Sequence, residues 1–347
     1  MERAGNMKVS DTVRPVCISS EGADRSLKKV ICAMLAMQRY PWEQGVCAQA
    51  LYEAGYEDLW IPMAYDAIQR IDKDGRLAML GGGEAVSDPA ANGEVCFRAY
   101  EKTGDPLFRR GAEKMLAYLL HKAPRTPDGI ICHNNISFVD GFSDCQLWID
   151  GSYMVPPFLA VMGRLDEAVE QLRGYRKHLF DPAGSLFYHI KDIVQDRFVR
   201  KVRWATGNGW ALMGLARVAE EAIRQNRTDL RDELQKFTGT LLAGMLKHQL
   251  PDGRFHDLID EDDSFIDGTS AMMMAATVYR GVYHSYLPDA YRKNADHAFQ
   301  TVTGSIDTYG LLRQVCGCPD FVSEGTSAEA QASYIMAYAW KKRLDPP

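Results

Sequence analysis

Two kinds of apolar pattern alternate along the chain. In the first, apolar residues return every three or four positions: Leu27, Val30, Ile31, Met34 and Leu35; Phe108, Ala112, Met115 and Leu119; Leu230, Leu234, Phe237 and Leu241. The positions between them carry charge, as in Arg109, Arg110, Glu113 and Lys114, or Arg231, Asp232, Glu233 and Lys236. That spacing predicts amphipathic helices with one wet face. In the second, the run is apolar at nearly every position, which predicts a helix buried on all sides. Each dry run opens on a glycine beside polar groups: Trp42-Glu43-Gln44-Gly45, Ala91-Asn92-Gly93-Glu94, Ile149-Asp150-Gly151-Ser152, Gly207-Asn208-Gly209-Trp210, Asp267-Gly268-Thr269-Ser270 and Glu324-Gly325-Thr326-Ser327.

From Gly45 through Gly93, Gly151, Gly209 and Gly268 to Gly325, the steps are 48, 58, 58, 59 and 57 residues. A sustained period of this kind marks a repeat architecture. Each unit holds two helices of ordinary length and leaves roughly twenty residues for connections. The economical arrangement is all-α: six dry helices in an inner ring, six amphipathic ones around them, an (α/α)6 toroid. It is expected to form one domain over 26–347, behind a leader over 1–25. Short pieces such as Ile130-Ile131-Cys132-His133 and Leu186-Phe187-Tyr188-His189 predict small β-ribbons in the connections. Pro156 and Pro157 suit the first turn of the third dry helix, leaving Asp150 on its approach.

If the inner helices run the same way, their starts open on one end of the ring. Residues distant in sequence then converge: Trp42, Glu43, Asp88, Asn92, Asp150, Asn208, Asp267, Thr269, Glu324 and Ser327. Trp148, Tyr153, Trp204 and Trp210 add aromatic surface, on which a sugar ring stacks its C–H face, so the inventory points to carbohydrate. Structural alternatives stand beside these. Asp88 before Pro89, Asp150-Gly151-Ser152 and Asp267-Gly268-Thr269 can each cap a helix. His189 can be a hydrogen-bonded loop histidine, and Asn208 can accept a left-handed backbone at a helix start.

Charge and cysteine usage narrow the field. A formal net charge of −6 over 347 residues argues against a nucleic-acid or anionic-membrane surface, both of which need a basic face. The eight cysteines are scattered; only Cys316 and Cys318 are close, and nothing completes a zinc set, so neither metal nor cofactor is expected. The polar stretch from Met1 to Lys28 lacks the apolar core of a signal peptide, and no run has the length of a membrane span. The expectation is a cytoplasmic protein, monomeric or weakly homo-oligomeric.

Several of these stretches together carry a resemblance. Tyr40-Pro41-Trp42-Glu43-Gln44-Gly45, Asp88, Trp148-Ile149-Asp150-Gly151-Ser152-Tyr153-Met154-Val155-Pro156-Pro157-Phe158-Leu159-Ala160, Tyr188-His189 and Trp204-Ala205-Thr206-Gly207-Asn208-Gly209-Trp210-Ala211 resemble the unsaturated rhamnogalacturonyl hydrolases, glycoside hydrolase family 105. The unsaturated glucuronyl hydrolases of family 88 are a more distant match. The likeness spans about residues 28–340. It implies an (α/α)6 fold and release of a Δ4,5-unsaturated uronic acid from the non-reducing end of oligosaccharides made by a lyase. By the same matching Asp150 is the general acid/base and Asp88 its partner carboxylate. His189 and Trp204 fall on substrate-contacting positions, Trp42 on an aromatic wall, and His133 matches more loosely. Asn208 and Trp210 belong to the last of these stretches and are carried as substrate-binding candidates. The family commonly has arginine where this chain has Thr206, so Arg203, three residues earlier, is the candidate for the uronate carboxylate.

Two other readings compete. Epimerase-like isomerases share the toroid and are expected to use histidines at the inner mouths, but of eight histidines only His133 and His189 fall near mouth loops. A non-catalytic carbohydrate binder could keep the same aromatic cup.

Overall fold

The computed structural model describes residues 23–80 and 83–346; the leader expected over 1–25 lies outside them up to residue 22. Outer and inner helices alternate: α1 (Ala23–Met37) outside, α2 (Pro41–Glu53) inside, α3 (Glu57–Gln69) outside, α4 (Ala90–Thr103) inside, α5 (Pro106–His121) outside. The third inner position is filled by α6 (Gly151–Met154) and α7 (Pro156–Val161), followed by α8 (Leu165–Leu179) outside and α9 (Ala205–Arg224) inside. Then come α10 (Thr228–Leu246), α11 (Gly268–Tyr283), α12 (Arg292–Gly304) and α13 (Ala328–Leu344). Helix α2 packs on α4, α4 on α7, α6 and α7 on α9, α9 on α11, α11 on α13, and α13 back on α2. The ring closes, and the architecture is the (α/α)6 toroid.

Inner helices this dry approach one another closely, and the marker glycines are where they do so. A Cβ on Gly45 would sit 2.5 Å from that of Ala91, one on Gly93 would sit 2.6 Å from the Phe158 ring, and one on Gly209 would sit 2.8 Å from Met273 Sδ. These distances leave no room for a methyl group. The repeat therefore marks contacts between neighbouring inner helices rather than helix starts at these three positions.

The third inner helix differs from its expectation of a single run. Pro156 and Pro157 lack the N–H groups that would continue α6, so the helix restarts at Pro156 and a single turn, α6, stands in front of it. Asp150 immediately precedes that turn.

At the end of the ring formed by the inner-helix C-termini, charges are buried and paired. Glu53 accepts hydrogen bonds from Arg217, Arg280 and, at 2.7 Å, Trp340 Nε1; Arg217 also donates to Glu94 at 2.5 Å. Burial alone would raise the Glu53 pKa, but the guanidiniums of Arg280 and Arg217 outweigh it and bring the group down to about 2. This network closes that end of the barrel.

The connections at the opposite end carry short strands. Among them β1 (Gln146–Trp148), β4 (Ile190–Asp192) and β5 (Arg197–Arg200) form an antiparallel three-stranded sheet in the order β1-β4-β5. Trp148 pairs with Ile190, and Ile190 with Arg200. Of the Leu186–His189 piece expected as a ribbon, Leu186–Phe187 forms β3, paired with β2 (Phe180–Asp181). Ile130–His133 makes no strand of its own; Ile131 forms an isolated bridge with Arg125. No described helix is long and apolar enough to cross a membrane.

Candidate active site

The inner-helix N-termini open on a cavity of about 730 Å³. Its lining draws on the starts of α2, α6, α9 and α13, on the sheet, and on the segment around Phe321. Trp42, Asp88, His133, Asp150, His189, Trp204 and Trp210 all line it. Seven residues from six separate stretches of sequence thus meet because the inner-helix N-termini and the connections between them share one rim.

Asp150 stands at the N-cap position of α6, yet neither it nor Asp88 caps a helix through its side chain. Neither side chain accepts a hydrogen bond from a helix N–H; Asp267, by contrast, accepts from Thr269 and Ser270 and caps α11. Asp150 Oδ1 is buried without a hydrogen-bond partner and lies 3.7 Å from His189 Nε2. Burial raises the Asp150 pKa to about 6, His133 pulling it down and Asp88 pushing it up. Asp88 is raised to about 7, again by burial, against a long hydrogen bond of 3.4 Å from Ser87 Oγ. Both carboxyls are poised to carry a proton near neutral pH, the condition for general acid chemistry.

The histidines are held neutral. His133 Nδ1 is 2.7 Å from Ser87 Oγ and its Nε2 is 3.9 Å from Asp88 Oδ1, while its ring stacks on Trp148 at 4.7 Å. Burial lowers its pKa, and burial aided by Arg200 lowers that of His189 well below the ordinary value. Arg200 Nη1 lies 3.2 Å from His189 Nδ1. A guanidinium cannot accept, so Nδ1 is the acceptor and the imidazole proton sits on Nε2, the nitrogen nearest Asp150. The histidines flank one indole, that of Trp148, rather than facing each other across the cavity.

Aromatic rings make the walls. Trp204 packs against His189 at 4.6 Å and Phe321 at 5.7 Å, and its Nε1 donates to Asp257 at 3.0 Å. Trp42 stacks on Tyr40 at 4.5 Å, and Trp210 lies against Tyr153 at 4.7 Å. Phe138 meets the edge of Trp148. A rigid cup of this size, apolar on its faces and polar at a few points, suits sugar rings.

Two candidates stand outside the lining. Arg203 is paired with Asp181 at 2.6 Å and with Asp260, and donates to Tyr188 Oη at 3.2 Å. Those two carboxylates hold its charge away from the cavity. Asn208 is wholly buried within α9; it accepts from Phe187 N at 2.7 Å and donates to the carbonyls of Phe187 and Trp204. It fastens β3 at Phe187, two residues before His189, so its motif position reflects loop anchoring. Asn92 likewise donates to Pro41 O, Glu43 accepts from the N–H of Tyr40, Ser327 caps α13, and Glu324 is exposed.

Four charged lining residues fall outside the sequence candidates: Glu84, Asp320, Glu329 and Arg200, of which the last two interact electrostatically with Asp150. Glu329, in the first turn of α13, is buried, with Oε2 unpartnered, and burial raises its pKa to about 8. It is the one charge near the start of an otherwise apolar run, a signal available in the sequence. Arg200 left no such signal, because only the β4–β5 pairing sets it beside His189.

A closed helical ring with two neutralisable carboxyls in an aromatic cup at one mouth defines a toroidal enzyme acting on carbohydrate. Residues 22–334 match Glycosyl Hydrolase Family 88, and the chain belongs to that family. It is a glycoside hydrolase. It is 24% identical over 322 residues to the unsaturated rhamnogalacturonyl hydrolase YesR of Bacillus subtilis, a match covering 88% of this chain and 87% of that one. A possible member of family GH105 from Klebsiella pneumoniae superposes with a TM-score of 0.77 at 19% identity, covering 98% of this chain and all of the other. An unsaturated glucuronyl hydrolase specific for heparin superposes with a TM-score of 0.68 at 15% identity, over 93% of this chain and 97% of its own. Families 105 and 88, named together from the sequence, recur together here, and membership disposes of the isomerase and binder readings.

Proposed function

We propose that the enzyme removes a Δ4,5-unsaturated uronic acid from the non-reducing end of lyase-generated oligosaccharides, with Asp150 as the proton donor. In such a sugar the ring oxygen and the C4=C5 bond form an enol ether. A proton delivered to C4 leaves an oxocarbenium ion centred on C5; water adds there, and the resulting hemiketal opens and expels the remaining sugar. The reaction needs one acid able to hold its proton near neutral pH and a second group to guide water, and it leaves the anomeric carbon unattacked. Ordinary glycosidases differ in placing their two carboxyls across the glycosidic bond itself.

The observation that carries the assignment is the buried, unpartnered Oδ1 of Asp150, raised to about 6 and set in the cup beside a neutral His189. Asp88 shapes that protonation and holds sugar hydroxyls or the attacking water. Its own higher value, about 7, favours a second reading in which Asp88 donates the proton. Against that, its carboxyl already accepts from Ser87 Oγ. The same proposal places the enzyme in the cytoplasm, as a monomer or weak homo-oligomer.

The test follows loss of the ultraviolet absorbance of the conjugated C4=C5 bond on a panel of unsaturated disaccharides. Asp150→Asn is expected to lower kcat by about 10²- to 10⁴-fold with the helical circular dichroism intact. Unchanged turnover would remove Asp150 from the donor role, and the same loss from Asp88→Asn alone would transfer that role to Asp88.

A further inference from the structure

We propose that Arg200 binds the substrate's uronate carboxylate, doing from β5 what the arginine absent at position 206 does not. The inference rests on the hydrolase reading above and deepens it by naming what recognises the acid. Among the described residues that line the cavity, Arg200 is the single lysine or arginine. It is half-buried and, among the described residues, has no carboxylate within ion-pair distance and makes one side-chain hydrogen bond, to His189 Nδ1 at 3.2 Å. A guanidinium placed this way keeps free donors in a fork that matches a carboxylate.

The other candidates for the task are spoken for. Thr206 is buried and donates to Asp267 at 2.8 Å, so its short side chain is engaged away from the cavity. Arg203 is neutralised by Asp181 and Asp260. His133 and His189 are held uncharged. A uronate bound without a cation would exchange its hydration for aromatic walls with nothing to offset the loss.

Position adds a second argument. In a Δ4,5-unsaturated uronate the carboxylate is borne by C5, the direct neighbour of the carbon that receives the proton. Arg200 and Asp150 stand on the two sides of the His189 ring, one at Nδ1 and the other 3.7 Å from Nε2. A sugar whose carboxylate meets Arg200 therefore brings C4 towards Asp150. Strand pairing of Ile190 with Arg200 sets this arrangement, so it is independent of the helix that carries residue 206.

The experiment compares an unsaturated disaccharide with its uronamide, in which the carboxylate is replaced by a neutral amide. The wild type should prefer the acid. Arg200→Gln should cut kcat/KM on the acid by roughly 10- to 100-fold more than on the amide, mainly through KM, so that the preference disappears. Equal losses on acid and amide overturn the assignment and place Arg200 behind His189 as a positioning residue. A wild type that consumes no unsaturated uronide overturns the hydrolase reading itself, and this inference with it. Should Arg200→Gln fail to fold, Arg200→Lys carries the comparison. Lysine keeps the charge and loses the fork, so the acid preference should fall by a smaller factor; an unchanged preference overturns the proposal.

Discussion

At the scale of single residues, the site works by withholding water from acids. Burial lifts Asp88 to about 7 and Asp150 to about 6, above the roughly 4 of an unfolded aspartate. The folded protein therefore keeps protons that the unfolded chain has released. Their stabilising contribution is complete below about pH 4 and is lost as pH rises through 6 and 7. Asp88→Asn removes a group that resists ionisation, so the variant should be more stable than wild type at pH 8, by something on the order of 2 kcal/mol, with the gap closing towards pH 4. Thermal unfolding at the two pH values measures this; a variant less stable than wild type at pH 8 would mean that the Asp88 carboxylate is held ionised. For wild-type kcat/KM, the alkaline limb should fall through the same region, as the donor loses its proton.

At the scale of elements, each inner helix has a working end and a structural end. The N-termini supply the cup, while the C-termini are tied together by Glu53, Arg217, Glu94 and Arg280. Removing one member of a buried ion network strands the others, which typically costs about 3–5 kcal/mol. Glu53→Ala should lower stability by that order in urea unfolding, with activity retained at temperatures where the ring persists. Glu53 has its folded pKa depressed to about 2, so its contribution is present above the unfolded value of about 4 and is lost as pH falls through 2. The difference between variant and wild type should shrink in acid. The small sheet is the other decisive element: β1 carries Trp148, β4 follows His189, and β5 ends on Arg200. Three short strands place more of the polar site than any one helix.

At the scale of the molecule, function depends on closure. Helix α13 packs on α11, α2 and α1, so the last element of the chain joins the first and second units. Deleting residues 328–347 should abolish the cooperative thermal transition, followed by calorimetry, because it opens the ring and exposes dry faces on both sides of the gap; a truncated chain with an intact transition would refute a closed cooperative ring. The repeat, the alternation of wet and dry helices, the (α/α)6 class and the Asp150 motif were legible from the sequence, since periodicity and local patterns are properties of neighbouring residues. Candidate membership of the cup was legible as far as shared helix orientation allowed, which is why Trp42, Trp204 and Trp210 were found. Arg203 and Asn208 were misplaced because a side chain's direction is set by partners far along the chain: Asp181 and Asp260 for one, Phe187 for the other. What the order of residues determined was the number of repeating units, the burial of their helices and the chemical inventory of one rim. Which cation faces the substrate, and which carboxyl is left without a partner, was decided only by the tertiary structure, because charge pairing and desolvation depend on distances that no local pattern encodes.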